Sequence, residues 1–251
     1  MATLYKKCPK CGADSAGLDT CAACGLIFAK YLRAKFASPE ARPRRSAETA
    51  AEDGLIARAR ELAFHVPEQV DPAFVYGRAV LLAAIAFYGV KLALMDIPSW
   101  EMGSSLIHLP MVPIHEFGHI LFRPFGEFMT LLGGSLFQVL LPLAFGLVFL
   151  VKNRDPFAAS VMLWWAAVAV MDVAPYIYDA WKPQHVLLTG RTGDSGAHDF
   201  IDVLGDLGLL HKAQPIGRGA HAFGAIAMLA ALAWGAWIVW QQYLRSKSST
   251  T

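Results

Sequence analysis

The chain has 251 residues, is 55% hydrophobic and only 17% charged, and carries a formal net charge of +2. Its mean hydropathy of +0.41 and a charged fraction well below the quarter typical of soluble domains exclude an ordinary water-soluble globule, and the apolar content excludes a largely disordered chain. Four cysteines, all between residues 8 and 24, are too few and too clustered for a disulfide scaffold, and so small a net charge does not argue for nucleic acid as a partner.

The chain opens on Lys6, Lys7 and Lys10 around a cysteine cluster, with no apolar run, so this start is not a signal peptide. Cys8-Pro-Lys-Cys11 and Cys21-Ala-Ala-Cys24 are two C-x2-C knuckles nine residues apart, each followed by a glycine. Zinc takes four thiolates in a tetrahedron, and each such turn offers two of them. The glycines let the backbone turn so that amides face the sulfurs. We expect a structural zinc ribbon over residues 1–36. The run Cys24-Gly-Leu-Ile-Phe-Ala-Lys-Tyr31 resembles the zinc-ribbon heads at the N-terminus of many bacterial proteins. That resemblance implies an interaction or anchoring role, with a cytoplasmic protein as the partner.

Residues 37–73 read as a polar, proline-containing linker followed by a short amphipathic helix, with Leu55, Ile56, Ala59, Leu62 and Ala63 on one side. Apolar runs then follow at 74–95, 105–122, 128–151, 157–181 and 220–243. A bilayer core about 30 Å thick needs roughly 20 apolar residues per helix. The fold expected is an all-α, polytopic membrane helical bundle of about five spans over residues 74–243, with a polar tail at 244–251. The lipid bilayer is then its immediate partner. Arginines 42, 44, 45, 58 and 60 precede the first span and the loop 96–104 has no Lys or Arg, so the N-terminus is expected in the cytoplasm of a bacterial inner membrane. Five spans would put Arg245 and Lys247 outside. A half-span near the second segment would remove that conflict.

The second run contains His115-Glu116-Phe117-Gly118-His119, an H-E-x-x-H motif. On a helix, positions i and i+4 share a face, so two imidazoles can hold one metal while the glutamate reaches its water. Ionisable side chains inside an apolar span are costly and mark function. Pro113 fits a helix start just before the motif. A catalytic zinc takes three protein ligands. The third is sought at Asp172 or Asp179 in the fourth span, or at His198 in the loop 182–219. In that loop the pair His198-Asp199 is also placed to cap a helix starting near Phe200. His108 stands seven residues before His115 and either lines the site or hydrogen-bonds within the bundle.

Residues 105–181 resemble the site-2 protease class of intramembrane zinc metalloproteases. That class carries H-E-x-x-H in one membrane helix and, in a later span, an aspartate after a proline that is the third zinc ligand. The resemblance implies that Asp179, after Pro175, is that ligand, and that Asp172 stands where the class has asparagine. The stretch Gly133-Gly134-Ser-Leu-Phe-Gln138 matches a glycine-led segment ending in an amide, so Gln138 is implied to orient the substrate backbone. This chain departs from the class in having Ala180 after the aspartate and glutamine as the amide. The activity implied is hydrolysis of a transmembrane or membrane-adjacent protein substrate, with one catalytic and one structural Zn2+. The competing expectation is a non-catalytic protein that keeps a closed four-ligand metal site for structure or sensing, completed by His198 or Asp172.

Overall fold

A computed structural model describes residues 5–16, 18–36, 47–68, 70–187, 190–195 and 198–248. The linker residues 37–46 and the last three residues of the tail lie outside them. The chain divides near residue 56 into two compact units. Among the described residues there are helices and no strand, with only isolated bridges.

The first unit holds the cysteine knuckles and α1, Phe28–Phe36. Each knuckle is closed by one antiparallel bridge, Lys7 with Asp14 and Thr20 with Ile27. Cys8, Cys21 and Phe28 form its small core, with Tyr5 packed on Phe28. The helix α2, Ala47–Ala63, begins in this unit and ends in the second.

The second unit is a helical bundle of α3 (Pro72–Ala93), α4 (His108–Phe122), α5 (Glu127–Val151), α6 (Pro156–Asp179), α7 (Asp199–Asp206) and α8 (Ala213–Ser248). Two of the long helices start the same way. Asp71 accepts a hydrogen bond from the Ala73 N–H at 2.8 Å, and Asp155 accepts one from the Ala158 N–H at 3.1 Å, each with proline next in the chain. An aspartate N-cap satisfies an orphan donor, and proline at the first position has no N–H to leave unpaired. Asp155 also takes the Arg78 guanidinium at 2.6 Å, tying the start of α6 to α3.

Four helices, α3, α5, α6 and α8, are long and apolar enough to cross a membrane. This corrects the expected count of five. The apolar run at 105–122 yields only the 15-residue α4, about 22 Å long at 1.5 Å per residue and short of a bilayer core. Its first residues, 105–107, form a bend and turn between a 3-10 turn at Glu101–Ser104 and His108. Pro113 lies inside α4 rather than at its start. The C-terminal segment is also more helical than expected, since α8 runs through Arg245 and Lys247 to Ser248.

The long helix α6 is the buried centre, and its small residues explain why. Gly217 and Gly224 of α8 are seven residues apart and meet the carbonyls of Ala174 and Ala167, also seven apart, where a Cβ would stand 2.8 and 2.7 Å from the oxygen. Glycine at those positions lets the antiparallel backbones touch, the packing that membrane helices favour. Leu92, Met102, Met111, Trp164, Val168, Met171 and Met228 fill the space around this contact. Outward, Phe74, Val80, Phe87, Leu109, Ile120, Leu147, Phe223, Ile226 and Trp240 are exposed. So broad an apolar exterior suits lipid rather than water.

Candidate metal centre

In the first unit the four cysteine sulfurs lie within 4.8 Å of one another. Cys8 Sγ is 3.7 Å from Cys24 Sγ, and Cys11 Sγ is 3.6 Å from Cys21 Sγ. Thiolates around a tetrahedral zinc at about 2.3 Å are separated by about 3.8 Å. Gly12 and Gly25 adopt φ of 76° and 68°, the left-handed turn that only glycine makes cheaply. Their N–H groups donate to the carbonyls of Cys8 and Cys21. All four cysteines expected as ligands are thus gathered in a form that fits one metal ion.

In the second unit α4 and α5 make the other centre. They approach through Gly118, Gly133 and Gly134, and a Cβ on Gly118 would run into the Gly133 carbonyl. That closeness sets His115, Glu116 and His119 on the wall of a cavity of about 450 Å3. Their ligand atoms lie within 4.8 Å of one another. Gly134 is the cradle: a Cβ there would stand 2.6 Å from His115 Nε2 and 2.7 Å from His119 Nε2. His119 Nδ1 lies 2.7 Å from the Thr130 carbonyl, which can only accept. Nδ1 therefore carries the proton, and Nε2 is left with its lone pair toward the site.

The residue that meets both imidazoles is Asp199, the first residue of α7. Its Oδ2 is 3.1 Å from His115 Nε2 and 3.4 Å from His119 Nε2. Ligands around a tetrahedral zinc at about 2.0–2.1 Å lie roughly 3.3–3.4 Å apart, and both separations from the Asp199 oxygen are close to that.

The carboxylates expected as third ligand are engaged elsewhere. Asp172, although on the same cavity wall, holds His108 Nδ1 at 2.9 Å and accepts from Gln138 Nε2 at 2.7 Å. Gln138 is buried on the same cavity wall, and its Nε2 donates to Asp172 Oδ2. Asp179 is not on the cavity wall. Its Oδ1 accepts from the Gln184 N–H at 3.0 Å, and His198 Nε2 stands 3.8 Å from its Oδ2. His198 is buried against the face of Tyr176, ring centroids 4.2 Å apart, and does not reach the imidazole pair. Neither His198 nor Asp199 caps α7 through its side chain as the sequence led us to expect: His198 is at the cap position without a capping bond.

From the sequence, Asp199 is expected chiefly as a capping residue, in a glycine-rich loop that could also fold over the site or supply a ligand. Its glycine-rich neighbourhood between two spans was the one signal for a closer role, and it does not specify a target 84 residues away. No family model matches the chain, and comparison with curated proteins and with solved structures finds no match.

Proposed function

We propose that this protein is a membrane-embedded zinc metallopeptidase of the site-2 protease kind, with a zinc-ribbon head that recruits or regulates from the cytoplasm. The observation that carries it is the convergence of His115, Glu116 and His119 on one cavity, with His119 fixed by Thr130 in the tautomer a metal requires. Four thiolates in the first unit suit zinc by charge and softness.

His115 and His119 would hold the catalytic ion, whose chemistry is that of a Lewis acid on the scissile carbonyl. Glu116 lies beside them with a free carboxylate. It takes a proton from the attacking water and returns it to the leaving amine as the C–N bond breaks. Trp100, Leu131, Val173, Val186 and Leu187 give the cavity apolar walls, which exclude bulk water and accept an apolar peptide segment. The substrate is a transmembrane or membrane-adjacent protein, because the site lies among the spans.

The test uses detergent-purified protein and a library of single-span reporter polypeptides, with product termini read by mass spectrometry. Glu116→Gln should slow cleavage by about 100-fold or more, the usual contribution of a general base, while zinc content stays at the wild-type value. Equal cleavage by wild type and variant would overturn the reading.

A further inference from the structure

We propose that Asp199 is the third protein ligand of the metal held by His115 and His119, so that the centre is completed from the connection between α6 and α8 and not from within a span. This rests on the intramembrane metal site of the reading above. Three observations support it. The Asp199 Oδ2 meets both Nε2 atoms, at 3.1 and 3.4 Å. Asp172 is bonded to His108 and Gln138, and Asp179 lies off the cavity wall with its Oδ1 accepting from the Gln184 N–H. The backbone at Asp199 is held in place, since its N–H donates to the Tyr176 hydroxyl at 3.0 Å.

Tyr176 is then a positioning residue. Its ring is clamped on His198, and Gly193 leaves room for that histidine, where a Cβ would stand 2.6 Å from the ring. The chain therefore spends a buried aromatic pair on fixing the residue that follows His198. Metal binding and docking of the connection are reciprocally coupled: docking raises the affinity for the metal by the same factor by which the metal favours docking.

The experiment measures zinc per chain, and zinc retention against a competing chelator, in the full-length detergent-purified protein. Asp199→Ala and Asp199→Asn should each lose one of two zincs, and Asp199→Asn keeps the size of the side chain so that folding is preserved. Tyr176→Phe should keep both but release one more readily, by roughly the 10–100-fold expected when an outer partner is lost. Asp179→Asn should keep both at wild-type retention. Two zincs with wild-type retention in both Asp199 variants would overturn the assignment while leaving the intramembrane site intact, as would loss in Asp179→Asn alone. A wild type with a single zinc, unchanged by His115→Ala, would overturn the site and the ligand together.

Discussion

Gly134 shows how much of the centre depends on atoms that are missing. A methyl group there would take the space in front of both Nε2 atoms, so Gly134→Ala should abolish intramembrane zinc while leaving the ribbon zinc. Zinc per chain measures this directly, and a melting curve shows whether the fold survives. Gly118→Ala strikes the backbone contact instead, and overpacking of this kind costs about 1–3 kcal/mol, read as a fall in Tm. The H-E-x-x-H spacing was legible because both histidines fall on one helical face of a single element, and the two cysteine knuckles for the same reason of local spacing. Asp199 was not legible, because its approach depends on the fold of the α6–α8 connection. Asp172 shows how a buried carboxylate finds partners within the bundle, here His108 and Gln138.

At the scale of elements, apolar run length predicted four helices and overcounted one. Residues 105–122 are apolar apart from Ser105, three histidines and Glu116, but the helix starts only at His108 and turns at Arg123-Pro124 into α5. The four helices long and apolar enough to cross would make an even number of crossings. Arg78 pairs with Asp155, Arg154 with Glu61, and Arg245 reaches the carbonyls of Val66 and Pro67. These contacts gather the segment before α3, the α5–α6 loop and the end of α8 at one end of the bundle. Lys152, Arg154, Arg245 and Lys247 therefore lie at the same end of the bundle as Arg58, Arg60 and the start of α3, the arrangement expected if that end faces the cytoplasm. We expect a fluorescent-protein fusion at the C-terminus to be active in the cytoplasm and an alkaline phosphatase fusion there to be inactive. The reverse pattern would exclude this orientation. Gly217 and Gly224 pack α8 on α6, and Gly224→Val should lower Tm more than Gly219→Val, since Gly219 faces open space.

At the scale of the molecule, a four-thiolate module stands ahead of a bundle whose polar groups are concentrated around one cavity. Charged and polar side chains within spans are expensive. Two groups of them are gathered here: His115, His119 and Asp199 together, and His108, Asp172 and Gln138 together. The second group lies on the cavity wall beside the first, which gives the cavity a polar floor under apolar sides. The central claim, a metal ion inside the membrane domain, is tested most directly by counting zinc per chain in detergent-purified protein, wild type against His115→Ala. Two zincs falling to one is the expected result. The same count in both proteins would contradict it.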